Sequence, residues 1–211
     1  MKIFIAIPCM ESVNTSFLQS LLGLNMGDLG YPKYGISKSS LIYDARNMLA
    51  ETALKSGADR IMWFDSDMTF EPEIIQKLSA DLDEGCDFVS GLYFKRKNPI
   101  GPVVYKETGY LQDGDKVTPY AHCYEDYPDS QLFECAGVGF GAVMMNARLI
   151  RDVYDAFGAP FAPQPGFGED LSFCRRCTEL GVKIWCDSHV KLGHVASTII
   201  TEESYKNGVT L

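Results

Sequence analysis

Two aspartates one residue apart, Asp65 and Asp67, follow directly on the apolar run of residues 60–64 in the segment WFDSDMTF. An ionised carboxylate loses hydration beside a core and is rarely left there unpaired. A hard cation with oxygen ligands meets that need, and it can also neutralise a departing diphosphate. The plainer reading is that both residues cap the turn after a strand. Gly168-Glu169-Asp170 enters a predicted helix, whose N-terminal partial positive charge favours ionised carboxylates. An ionised Asp170 facing a cleft could take a proton from a hydroxyl, or the pair could simply fill an acidic first turn. His194, in LGHV, has an imidazole suited to borderline cations, although a lone histidine beside a strand is more often packed and hydrogen-bonded. Asp44-Ala45-Arg46-Asn47 lies on another predicted helix. There Asp44 and Asn47 share a face, Arg46 points elsewhere, and the plain reading is a solvated surface.

The surrounding elements must place these groups. IFIAI (3–7), stopped by Pro8, reads as a buried strand, as do RIMWF (60–64) and CDFVSGLYF (86–94). Between them, one helix runs from a Ser40 cap to about Lys55 and ends at Gly57, and another runs from Pro72 to about Asp83 and ends at Gly85. This alternation implies a mostly parallel sheet with helices on its faces. Ligands sit at the carboxyl ends of such strands, where Asp65, Asp67 and the Cys9–Ser12 loop fall. Residues 9–39 read as irregular, with one apolar patch at Phe17–Leu24. Residues 98–132 read as a hairpin and loops over one side of the site. FECAGVGFGAVMMN (133–146) is strand-like, and its glycines 137, 139 and 141 suggest close approach of a ligand or another backbone. A short helix (147–157), the loop PQPGFGED, a helix (170–180) and a late strand, VKIWC, complete the chain.

The chain has 211 residues, 46% hydrophobic and 22% charged, which suits one globular domain. Its net charge of −9 argues against a dedicated nucleic-acid binder, which needs a basic face. A nucleotide ligand stays compatible, because a bound cation can supply positive charge locally. No apolar stretch approaches the ~18 residues of a membrane span, and the N-terminus lacks a signal pattern, so the expected location is cytoplasmic. Seven cysteines, an odd count, argue against a disulfide framework. The Cys174/Cys177 pair on a predicted helix reads as buried or free thiols, with zinc or redox pairing as lesser alternatives.

The ordered set resembles one family: a first strand ending in Pro, an ARN-type helix, an apolar strand with DxD, a Gly-rich strand, GED and a late His. It looks like the GT-A glycosyltransferases, particularly the small family-2-like enzymes of bacteria and phages, over roughly residues 2–196. The resemblance implies an α/β, Rossmann-like nucleotide-diphospho-sugar transferase fold spanning 1–211, with 1–97 as the nucleotide-binding half and 98–211 as the acceptor and sugar half. It implies that Asp67 ligates Mn²⁺ or Mg²⁺, that Asp65 contacts the metal, the donor ribose or both, and that His194 is the third protein contact to the metal. Pro8, Cys9, Glu11, Arg46, Asp65 and Ser66 would line the nucleotide pocket, with Gly139 and Phe140 near the donor sugar or acceptor. Asp170 would be the base, with Glu169 binding acceptor or sugar hydroxyls. The implied partners are a UDP- or GDP-sugar donor and a hydroxyl acceptor on a glycan, protein or small molecule. Lys95, Arg96, Lys97 and Lys191 join Arg46 as the cations available near a diphosphate. Tyr105, Tyr110, Tyr120 and Tyr124 could stack on sugar rings or pack under a loop.

Two rival readings share these residues. IMWFDSDMTF also resembles the first motif of haloacid-dehalogenase phosphatases, with Asp65 as nucleophile beside Asp67 and Thr69, and FVSG (88–91) resembles their second. Against it, Asp65 lies 64 residues into the chain, and the later acidic pair follows PQPGF instead of an apolar strand. The other rival is a non-catalytic nucleotide- or sugar-binding module, which would bind without turnover.

Overall fold

The computed structural model describes residues 1–196 and 199–208. In chain order it runs β1 (Ile3–Cys9), α1 (Thr15–Leu22), β2 (Lys33–Lys38), α2 (Ile42–Lys55), β3 (Arg60–Phe64), β4 (Met68–Thr69), α3 (Ile74–Asp83) and β5 (Phe88–Leu92). Then come β6 (Val104–Asp113), β7 (Lys116–Cys123), β8 (Leu132–Cys135), β9 (Gly137–Val138), β10 (Ala142–Asn146) and α4 (Ala147–Phe157). The chain continues through α5 (Glu169–Glu179), β11 (Ile184–Lys191), β12 (Gly193–Val195), β13 (Ile199–Ile200) and α6 (Glu202–Lys206).

Seven strands form one sheet in the order β2-β1-β3-β10-β5-β11-β8. β1 pairs in parallel with β2 and β3, and β5 with β11; β10 runs antiparallel between β3 and β5, and β8 antiparallel at the far edge. Five of the seven strands therefore point one way, and the sheet is mostly parallel. β1, β3 and β5 are buried along their whole lengths because both faces are covered, which is why they read as continuous apolar runs. On one face Leu49, Ala53, Leu149, Ile150 and Phe173 of the helices meet Phe4, Trp63, Phe88 and Val143. On the other, Phe17, Ile75 and Leu78 meet Ile5, Met62, Phe64 and Val89. Gly57 and Gly85 follow α2 and α3 with positive φ, as the expected stops require.

Several local expectations change. Residues 9–39 are not irregular: they hold α1, capped by Asn14 accepting the Ser16 N–H at 2.8 Å, and the edge strand β2. Ser40 does not cap α2. Leu41 occupies that position, and its N–H donates to Ser39 Oγ at 3.1 Å. Residues 133–146 divide into three short strands, of which β9 leaves the main sheet to pair with β6 in the small sheet β7-β6-β9. The β6–β7 hairpin forms as expected, and β13-β12-β4 make a third sheet. Cys174 and Cys177 are fully buried free thiols in the core. Among the described residues no helix is long and apolar enough to cross a membrane.

Candidate active site

β3 ends at Phe64, and the next three residues turn across the carboxyl ends of β1 and β3. Backbone bonds hold that turn: Asp65 N–H donates to Gly141 O (3.1 Å), Asn14 N–H to Ser66 O (3.0 Å), Val195 N–H to Asp67 O (2.9 Å) and Met68 N–H to Asp65 O (3.2 Å). The turn leads into β4, which pairs antiparallel with β12 and sets His194 opposite Met68. This register brings His194 Nε2 to 3.6 Å from Asp67 Oδ2. The other ring nitrogen, Nδ1, lies 2.8 Å from Phe94 O, a contact that orients the ring with Nε2 toward Asp67. Arg96 also ion-pairs with Asp67 Oδ2. Burial pushes the Asp67 carboxyl up, but His194 and Arg96 outweigh it and hold the group below its ordinary range.

Arg46 is not on a solvated surface. It is 2% exposed, with Nη2 2.7 Å from Asp65 Oδ1 and Nε 3.1 Å from Glu169 Oε1. Its guanidinium lies 4.9 Å above the ring of Phe140 and 5.9 Å from that of Trp63, within cation–π range. Phe161 and Phe173 stack at 4.7 Å beneath Phe140 and seat the start of α5, which presents Glu169. Burial opposes the charge on Arg46, yet Asp65 and Glu169 outweigh it and raise its pKa. For Asp65, burial outweighs the pull of Arg46 and leaves the carboxyl raised. Arg46 itself stays charged, because an arginine does not release its proton. Asn47 is occupied too: its Oδ1 accepts the Phe161 N–H at 3.0 Å.

These groups open onto a cavity of about 810 Å³. Of the residues expected at the site, Pro8, Cys9, Arg46, Asp65, Ser66, Asp67, Glu169 and His194 line it. Glu11 does not; it stays in solvent, where its charge is hydrated. Gly139 does not either. A Cβ there would come 2.0 Å from Tyr93 Oη, so the missing side chain makes room for a tyrosine, not for a ligand. Phe140 is the buried floor under Arg46. Asp170 lies behind the lining, with Oδ1 accepting the Leu171 N–H at 2.7 Å. Burial and then neighbouring Glu169 push its pKa up to about 6. The wall also includes Ser12 of the Cys9–Ser12 loop and Arg96, both expected near it, together with Asn14 and Ser40, which were not placed there from sequence. Asn14 had a readable signal, since it precedes the apolar patch as a helix cap does.

Of the expected cation ligands only Asp67 and His194 converge, because Asp65 is engaged by Arg46. Among the described residues no group of three or more His, Cys, Asp or Glu is arranged to hold a metal. A closed structural zinc centre therefore does not fit. A magnesium-like cation does fit, because such ions take one or two protein ligands and complete their shell with water and substrate phosphates.

No family model matches the chain, and no curated protein matches it. Solved structures do. The crystal structure of A197 from STIV superposes with a TM-score of 0.62 at 20% identity, covering 92% of this chain and 85% of that one. That of S. aureus TarS 1–349, a family-2 glycosyltransferase, superposes at 0.53 and 16% identity, covering 89% of this chain and 58% of that one. The fold is GT-A. Within it the sheet sets the DxD turn of WFDSDMTF at the mouth of the cavity.

Proposed function

We propose that the chain transfers a sugar from a UDP- or GDP-sugar to an acceptor hydroxyl on a glycan, protein or small molecule. The observation that carries this reading is the convergence of the Asp67–His194 pair and the Asp65–Arg46–Glu169 triad on one cavity at the carboxyl ends of β1 and β3. Asp67 and His194 would hold Mn²⁺ or Mg²⁺, which when bound offsets charge on the diphosphate. Pro8, Cys9 and Ser66 line the wall that receives the nucleoside, and residues 1–97 supply most of that wall. Asp65, held by Arg46 through Oδ1, offers its other oxygen to a ribose or sugar hydroxyl. Glu169 has one oxygen on Arg46 and the other available to a hydroxyl of sugar or acceptor. Asp170, with a pKa near 6, is ionised at neutral pH and takes the acceptor proton. Residues 98–211 contribute the acceptor side. The seven free thiols suit a reducing cytoplasm.

Calorimetry against UDP and GDP, with and without Mn²⁺, tests the proposal. Metal-dependent binding of one nucleotide, lost in Asp67→Ala, is expected. Binding of neither nucleotide with any metal refutes it.

A further inference from the structure

Asp67 Oδ2 faces two groups, Arg96 Nη1 and, at 3.6 Å, His194 Nε2. Nδ1 of His194 faces Phe94 O, so Nε2 is the ring nitrogen turned to Asp67. A carboxylate partly withdrawn from water needs a positive group beside it. In this structure Arg96 is that group.

Arg96 is mounted on a turn whose base is fixed. Lys95 N–H donates to Gly101 O at 2.9 Å, Phe94 bridges to Pro102, and Val103 N–H donates to Tyr93 O at 3.0 Å. Residues 96–99 are exposed, and the Arg96 side chain, 49% exposed, can leave Asp67 without any movement of the backbone. The cavity wall carries the carboxylates of Asp65, Asp67 and Glu169 against the guanidinium groups of Arg46 and Arg96. Arg46 is already bound to two of those carboxylates. Among the described residues lining this cavity, a diphosphate finds one guanidinium able to change partner, and a guanidinium matches phosphate oxygens in a bidentate fashion.

We infer that Arg96 works in two positions: on Asp67 in the free protein, and on the donor diphosphate once a divalent cation has taken Asp67 and His194. The inference rests on the transferase reading. It makes Arg96 a competitor of the cation in the free protein and a ligand of the nucleotide in the loaded one. Cation and nucleotide should therefore each tighten the binding of the other.

The test is Arg96→Ala with two binding measurements on the full chain. Water-proton relaxation gives Mn²⁺ affinity without nucleotide, and calorimetry gives affinity for the nucleotide that wild type binds, at saturating Mn²⁺. Losing a partly exposed ion-pair competitor should tighten Mn²⁺ alone by roughly 2- to 5-fold. Losing a charged hydrogen bond should weaken the nucleotide about 10-fold or more. Arg96→Lys should keep wild-type Mn²⁺ affinity and part of the nucleotide affinity. Lys97→Ala removes a neighbouring charge and should move neither quantity. The inference is overturned if Arg96→Ala leaves either affinity unchanged, or if Lys97→Ala reproduces both shifts through the general field. If wild type binds no nucleotide with Mn²⁺, the transferase reading falls and this inference falls with it.

Discussion

Replacing Arg46 by methionine keeps most of the side-chain volume and removes the charge that Asp65 and Glu169 share. Deleting one partner of a buried ion pair costs ~3–5 kcal/mol, because the other charge stays buried without compensation. Here the side chains of Asp65 and Glu169 are 30% and 15% exposed beside a cavity, so water relieves part of that cost. The low end, ~3 kcal/mol, is the expected loss near neutral pH. For a chain of this size it lowers the melting temperature by roughly 6–12 °C. Methionine can still rest on Phe140, so packing contributes little to the difference. The pH dependence has a definite sign. Without Arg46, burial is unopposed and holds the Asp65 carboxyl above its unfolded value of about 3.9. The penalty is then absent below the unfolded value and grows as pH rises through the folded one. Urea melts of mutant and wild type near pH 7.5 and near pH 4 should show a deficit that shrinks on acidification. A neutral-pH deficit below ~1 kcal/mol, or one that widens in acid, would refute the charge arrangement. Glu169→Gln added to Arg46→Met should restore part of the loss, since it removes one of the stranded charges.

Asp170→Asn should lower turnover by ~10²–10⁴ and leave donor affinity intact, and wild-type turnover should rise with pH through a limb near 6. A flat profile between about pH 5 and 8 would remove Asp170 as the base. Because the Asp170 pKa is raised on folding, the stability linked to it is full below about 3.9 and lost as pH rises through 6. The asparagine variant should therefore melt higher at neutral pH, by up to ~3 kcal/mol, and not at about pH 3.5. Gly139→Ala pushes a methyl against Tyr93 Oη and should cost ~1–3 kcal/mol; an unchanged melting temperature would show that the tyrosine yields freely. Tyr110 joins the β6–β7 hairpin to the loop before α5, with Oη donating to Pro165 O at 3.0 Å and Arg175 lying 4.8 Å over its ring. Tyr110→Ala should raise the KM for acceptor and spare that for donor. Equal effects on both would show that the hairpin does not serve the acceptor side alone.

The parts of the fold that were legible in sequence are those buried on both sides. β1, β3 and β5 read as apolar runs because helices cover both sheet faces, and α2 and α3 were bounded by glycines that do take positive φ. β2 was missed because an edge strand need not alternate. Only Ser37 of its six residues is buried, while Tyr34 and Ile36 face solvent. The division of residues 133–146 was missed for a different reason. Val138 and Val143 are both fully buried, yet they belong to different sheets, and local periodicity carries no information about which sheet a strand joins. The antiparallel insertion of β10 between β3 and β5 is likewise set by contacts far apart in sequence.

At the site, the acidic turns and His194 were legible because their chemistry is local, whereas Arg46 was placed at the pocket only through the family resemblance. The pairing of Asp44 with Asn47 gave its own helix face no role, but Arg46, Leu49, Ala50 and Ala53 fall at i, i+3, i+4 and i+7, and all four are buried. That spacing marks the core-facing stripe of a helix. An arginine on such a stripe, followed one and two turns later by alanines that leave it room, cannot remain without counter-charges. It must meet carboxylates brought in from elsewhere, and the chain places acidic residues just after a strand at Asp65 and just inside a helix at Glu169. The burial pattern of α2 and the charge balance of its one buried cation thus lead to the same two acids that the DxD and GED segments supply. The requirement that Arg46 be neutralised fixes the distance between the DxD turn and the start of α5.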